Sequence, residues 1–242
     1  MNNLGKTMKE INNFNDFTKT LYRTGFSLGG GNDEGIYAAI NWGWQQSPPY
    51  ETPIRWHTND PETDPWQFRI RILNECSDIA YAKCFFRKSG YITKEFYPCF
   101  LALRRNNLDI EEEYFNGRIS TTAKRIYDVV KEHSELPLQL IKRYAGFSSK
   151  DKGRFDSSLI ELQMKMYLTI CSTSRRRNMY GEEYGWESTV FSTTERFWQG
   201  TEVFEDASLL EIDEAYNLIK TRVLELNTKA EEKNIHKFAF GW

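Results

Sequence analysis

Apolar residues fall into two rhythms along this chain, three and four apart or strictly alternating, and these predict helices and strands respectively. Phe14, Phe17 and Leu21 mark a short first helix, and after a flexible Gly29–Gly31 link, Ile36, Ala39, Ile40 and Gly43 stand at i, i+3, i+4, i+7, predicting a second. Residues 47–66 carry five of the seven prolines and read as irregular chain. Beyond them Phe68, Ile70 and Ile72 alternate with Gln67, Arg69 and Arg71. Ile79, Tyr81, Lys83 and Phe85 alternate with Ala80, Ala82, Cys84 and Phe86, so the two runs predict a β-hairpin closed by Asn74–Asp78. Thr93 is placed to cap a helical turn, and Pro98 to start a helix running to about Arg105.

The stretch 118–198 has a more distinctive order. Ser120 caps a helix whose face is Ala123, Ile126, Tyr127 and Val130, ending near His133, where a histidine suits the helix C-terminus. Only Ser134-Glu135-Leu136 separates it from a second helix, with Pro137 at its start, Leu138, Ile141 and Ala145 on its face, and Gly146 after its end. A polar loop, residues 148–154, leads to a third, buried through Leu159, Leu162 and Met166, with Ser158 and Glu161 set as a capping box. A strand from Tyr167 to Thr173, a turn-rich stretch Ser174–Gly185 and an alternating run Trp186–Thr193 then predict a hairpin with a long tip. The last block is a helix with Ser208 and Glu211 as its capping box and Ile212, Ala215, Tyr216, Ile219, Val223 and Leu226 as its stripe, then a tail containing His236.

Three helices followed by a hairpin is the order of a winged helix-turn-helix, in which the third helix enters a major groove and the wing reaches flanking phosphates. Charge sharpens this reading. The net charge of −2 argues against a uniformly nucleic-acid-binding surface, but residues 118–200 carry 14 basic and 10 acidic groups, whereas 201–242 carry 5 and 9. Lys150, Lys152 and Arg154 precede the third helix, where backbone N–H groups favour phosphate, and Arg175, Arg176, Arg177 and Asn178 fall in the wing beside Met179 and Tyr180. These six cations are the expected contacts to duplex DNA, against the plainer reading of a solvated hairpin tip and loop.

Two further groups lie in the proline-rich region. Asp60, Glu62 and Asp64 alternate in His57-Thr58-Asn59-Asp60-Pro61-Glu62-Thr63-Asp64, an arrangement that suits turn capping first, and a base or a hard-cation ligand second. Trp42, Trp44, Trp56 and Trp66 crowd the same segment, either as core or as a platform on which an unpaired base would stack. Aromatic content of 15% fits both. No Ser/His/Asp, Cys/His or phosphate-loop constellation is present, and Cys76, Cys84, Cys99 and Cys171 form no C-x-x-C pair, so no metal site or cofactor is expected. No run approaches the roughly 18 apolar residues of a membrane span, and the N-terminus lacks a signal-peptide core, which predicts a cytoplasmic protein with no membrane partner.

Several runs resemble a known family: Trp56-His57-Thr58 through Asp64-Pro65-Trp66, Ala80-Tyr81-Ala82-Lys83-Cys84-Phe85-Phe86, Gly90-Tyr91-Ile92-Thr93-Lys94-Glu95-Phe96-Tyr97-Pro98, Leu162-Gln163-Met164-Lys165-Met166-Tyr167-Leu168 and Tyr184-Gly185-Trp186. They are similar to the AlkZ-related proteins, distant relatives of the AlkZ and YcaQ winged-helix DNA glycosylases, over roughly residues 50–200. The resemblance implies winged-helix architecture and a DNA-facing surface. The glycosylases act through a Gln-apolar-Gln or Gln-apolar-Asp pair; here Gln45, Gln46, Gln67, Gln139, Gln163 and Gln199 all lack Gln or Asp two residues on.

The expected fold is α+β. A winged-helix module at 118–200 packs on an N-terminal helix-and-hairpin part at 1–117, itself a second, degenerate winged helix by the resemblance, with an acidic helix and tail at 201–242. The first functional expectation is duplex-DNA binding in lesion recognition or repair. The second is a divergent glycosylase or other base-processing enzyme with Asp60, Glu62 or Asp64 in place of the glutamine pair. The third is a winged helix used for protein contacts.

Overall fold

The structure, a computed structural model, describes residues 10–177, 180 and 183–241. Its elements are α1 (Phe14–Thr24), β1 (Phe26–Leu28), α2 (Pro65–Glu75), β2 (Ile79–Phe85), β3 (Lys88–Thr93), α3 (Tyr97–Arg105), α4 (Ile110–Phe115), α5 (Thr121–His133), β4 (Glu135–Pro137), α6 (Leu138–Tyr144), a 3₁₀ turn (Ser149–Asp151), α7 (Lys152–Met164), β5 (Leu168–Arg177), β6 (Glu183–Thr193), α8 (Thr194–Phe197), α9 (Val203–Leu209), α10 (Ile212–Leu226) and α11 (Glu232–Phe240). The class is α+β. All six strands join one sheet in the order β1-β3-β2-β5-β6-β4, and every pairing is antiparallel.

Side chains alternate across a strand, so the central strands β2 and β3 feed two cores. On β2, Ile79 and Tyr81 enter a cluster with Phe14, Phe17, Leu21, Phe68, Ile126, Leu162 and Phe191, while Ala80 and Ala82 enter a second with Phe26, Phe100, Trp198, Ile219 and Phe238. The sheet is thus covered on one face by α1, α2 and α5–α7 and on the other by α3 and α9–α11. The Tyr81↔Ile170 pairing of β2 with β5 carries the sheet across residue 118.

Local sequence accounts for most elements. Asn13 accepts the Asp16 N–H at the start of α1, and Gly25 closes that helix in the left-handed region at φ 86°. Ser120 accepts the Ala123 N–H and opens α5, as expected. At the end of α5, His133 meets the Val129 carbonyl and stacks on Tyr144.

Several expectations are corrected. Residues 36–43 form no helix: Ile36, Tyr37 and Ala38 are buried consecutively, and the backbone bonds sideways, the Leu28 N–H to the Tyr37 carbonyl and the Gly31 N–H to the Ile40 carbonyl. The glycine link is therefore held in place. The expected strand at Phe68–Ile72 is helix α2, because Asp64 caps it, Pro65 sits at its start, and Phe68 and Ile72 are also i, i+4 neighbours on one buried face. The hairpin that forms joins β2 to β3, and Thr93 ends β3, bonding the Gly25 carbonyl instead of capping a helix. Ser134–Leu136 does more than turn: Glu135–Pro137 pairs with β6 as β4. Helix α7 begins at Lys152, six residues before Ser158; its entry turn has a Ser148/Asp151 capping box, while Ser158 is buried and Glu161 bonds Ser120. Ser208 closes α9, its hydroxyl donating to the Glu205 carbonyl, and His236 lies in α11 instead of a tail. The strands β5 and β6 also extend into the expected tip, through Arg177 and from Glu183.

Candidate nucleic-acid interface

Helix α7 presents only its first turns. Lys150, Lys152 and Arg154 are exposed around its N-terminus, with Arg154 3.7 Å from Asp151, and Lys150 and Lys152 make no ion pair among the described residues. The C-terminal half is enclosed: Leu159 and Leu162 enter the core, and Gln163 accepts the Lys83 N–H and donates to the Leu159 carbonyl. The β2–β3 turn, left-handed at Phe86 and Arg87, brings Arg87 onto Ser157. A groove of about 690 Å³ runs between α6 and the β5–β6 hairpin, lined by Gln139, Leu140, Arg143, Ser174, Arg175 and Tyr184 among others. Arg175 is exposed and lies 3.8 Å from Glu187 across the hairpin. Its neighbours Arg176 and Arg177 pair through their backbones with Tyr184 and Glu183, but their side chains, like Asn178 and Met179, lie outside the described residues. Arg143, in the last turn of α6, is a cation that the sequence reading missed; it was hidden as an ordinary helix-end arginine.

The tryptophans divide. Trp42 is core, packed edge-on against Tyr50. Trp44, Trp56 and Trp66 come together around a pocket of about 190 Å³, floored by Tyr81 and Tyr91 and walled by Gly29, Gly30, Arg69 and Lys88. Trp44 is 65% exposed and Trp66 44%. His57 stands among the three rings, with centroids 5.5 to 6.4 Å away. The Arg69 guanidinium lies 4.0 Å over the Trp66 ring, and no ion pair engages it among the described residues. Burial raises the Tyr81 and Tyr91 hydroxyl pKa values, so both stay protonated at neutral pH. Gly30 is required by contact, since a Cβ there would lie 2.7 Å from the Trp56 ring. Arg69 escaped the sequence reading because it stood there as one of the polar residues alternating along an expected strand. The Asp64-Pro65 cap with Trp66 and Arg69 three apart was the available signal.

A family model described as AlkZ related matches residues 11–240, nearly the whole chain. This protein belongs to the AlkZ-related family. No curated protein and no solved structure matches it.

In this AlkZ-related chain the three alternating carboxylates are already engaged, two by neighbouring backbone N–H groups and one by an ion pair. Asp64 is fully buried and accepts the N–H groups of His57 (3.0 Å), Asn59 (2.9 Å) and Trp66 (2.8 Å). Asp60 accepts the Glu62 N–H and the Thr63 hydroxyl, which hold its pKa below the usual carboxylate value. Glu62 is ion-paired with Arg71 at 2.6 Å. Among the described residues no three His, Cys, Asp or Glu side chains cluster to hold a metal ion, and no helix is long and apolar enough to cross a membrane. A roomier groove of about 770 Å³ lies elsewhere, along Glu211, Asp213, Glu214 and Glu225 of the acidic C-terminal segment, where a phosphate backbone would be repelled.

Proposed function

We propose that residues 118–200 of this AlkZ-related protein form a winged helix that docks on duplex DNA in a lesion-recognition or repair context. The observation that carries this reading is the connectivity α5-β4-α6-α7-β5-β6, with the short β4 paired outside β6, which supplies three helices, a three-stranded sheet and a hairpin projecting beyond it. Family membership supports the same partner. Because the second half of α7 is enclosed, the contact is made by the helix N-terminus with Lys150, Lys152 and Arg154, and by Arg143, Arg175, Arg176 and Arg177 along the wing. Such contacts are to phosphate and fix position without reading sequence. The engagement of Asp64 by three backbone N–H groups weighs against a base-processing role for that residue.

The test is fluorescence anisotropy on duplex DNA over a salt series. Wild-type affinity is expected to fall steeply with salt, and the Arg175/Arg176/Arg177→Ala variant to lose affinity and up to about three phosphates' worth of slope, roughly 0.9 each. Unchanged affinity and slope in the variant would overturn the wing assignment.

A further inference from the structure

We propose that the pocket formed by Trp44, Trp56 and Trp66 receives a single unstacked nucleobase. It is built from residues 29–91 alone and takes nothing from the winged-helix segment, so the proposal stands or falls separately from DNA docking by the wing.

Three properties of the pocket select this ligand class. The first is size: about 190 Å³ is below the roughly 300 Å³ at which pockets begin to accept drug-sized molecules, and suits one ring system. The second is surface. Two tryptophans at its rim, Trp44 and Trp66, are exposed, and a planar π-system is a partner that stacks on such rings. The third is polarity. The Trp56 Nε1 and Arg69 Nε atoms are buried and find no hydrogen-bond partner among the described residues. Both are donors on residues that line the pocket, and no protein acceptor meets either of them among the described residues. A ligand that presents ring nitrogen and carbonyl acceptors on a flat ring meets all three conditions.

The charge arrangement excludes the obvious rival. A cage of aromatic rings also suits a quaternary ammonium, but here Arg69 already covers one face of Trp66 at 4.0 Å and would repel a second cation. Lys88, at the wall, is paired with Glu34 and Asp33, which leaves Arg69 as the lining cation without an ion pair among the described residues. The pocket is also pre-organised. Asp64 ties the backbone of His57 and Trp66 together, and the Gly29 N–H donates to the Ser89 carbonyl, so the walls need little ordering when a base arrives.

The experiment uses 2-aminopurine in two forms, as the free nucleoside and within a duplex, either unpaired opposite an abasic site or fully paired. Quenching of its fluorescence by the full-length protein reports stacking. Wild type is expected to quench the unpaired base well beyond the paired one, and Trp44→Ala, at a solvent-facing side chain, to weaken binding roughly 5- to 150-fold, the equivalent of about 1–3 kcal/mol. Arg69→Met is expected to weaken it as well, with thermal melts confirming that both variants fold. Quenching of the free nucleoside alone would identify a soluble base or nucleotide as the ligand; quenching in the duplex alone would identify an extruded one, and either supports the site. Equal quenching of paired and unpaired duplex with none of the nucleoside, no effect of Trp44→Ala, or displacement by choline would overturn it. The Arg175/Arg176/Arg177→Ala variant should bind the nucleoside like wild type, which separates failure of the wing from failure of the pocket.

Discussion

Removal of the Asp64 carboxylate tests whether the loop that carries Trp56, His57 and Trp66 is held by one buried side chain. Asp64 is both the N-cap of α2 and the acceptor for the N–H groups of His57 and Asn59, at 2.8 to 3.0 Å. Each hydrogen bond to a charged group contributes about 1.5–3 kcal/mol net, so three set an upper bound near 4.5–9 kcal/mol. His57 and Asn59 are exposed residues whose N–H groups water can reach once the side chain is gone, and an N-cap alone contributes about 0.5–2 kcal/mol. For Asp64→Ala we therefore expect a loss of about 2–4 kcal/mol, read as a fall of roughly 4–16 °C in Tm for a chain of this size. Trp emission should shift to the red as the pocket loosens. Asp60→Ala, at an exposed turn, should stay within about 2 °C of wild type, and Asp64→Asn should fall between the two. An Asp64→Ala variant that melts with wild type, or no earlier than Asp60→Ala, would refute the reasoning and return Asp64 to the candidates for a chemical role.

Two other expectations follow from the buried groups. Arg104 is 2% exposed and donates to the carbonyls of Cys84, Met164, Phe238 and Ala239, joining β2, the end of α7 and α11; Arg104→Met leaves all four unpaired and should cost about 3–5 kcal/mol in a denaturant titration, an effect under about 1 kcal/mol being fatal to the idea. Burial raises the thiol pKa of Cys99 and Cys171 to about 11 and of Cys84 to about 12, and the Tyr37 hydroxyl to about 12, so these groups favour the fold while neutral; the stability is complete below their ordinary values near 9 and 10 and is lost as pH rises toward 11–12. Arg104, lowered to about 10 by burial, works in the opposite direction but is one group against several. Denaturation midpoints measured from pH 8 to 11 should fall beyond pH 9, and a flat profile would contradict this.

The sequence and the structure agree where one period dominates. Ala123, Ile126, Tyr127 and Val130 admit only a helical reading, and all four are buried in α5. Phe68, Ile70 and Ile72 satisfy alternation and i, i+4 spacing together, so the pattern was ambiguous, and the decision lay in the Asp64-Pro65 cap just before it. The apparent helix at Ile36–Gly43 failed for a different reason. Its apolar residues are buried on every side by elements distant in sequence, a packing that no local period reports.

The candidate site divides along the same line. Exposed cations are legible because charge is a property of single residues, and Lys150, Lys152, Arg154 and Arg175 are on the surface where the sequence put them. The aromatic pocket required tertiary information. Trp42 and Trp44 are two residues apart, yet one enters the core and the other the solvent, and nothing in their sequence spacing says which. What joins Trp44, Trp56 and Trp66 is the β2–β3 hairpin beneath them: Tyr81 and Tyr91 stand opposite each other in the ladder, 4.9 Å apart at their ring centres, and form one floor. Gly30 and Arg69 then become intelligible, the first as a residue without a Cβ where the edge of the Trp56 ring comes against the backbone, the second as a donor left unpaired among the described residues. A pocket of this kind resides in contacts between segments, which is why its residues looked ordinary one by one.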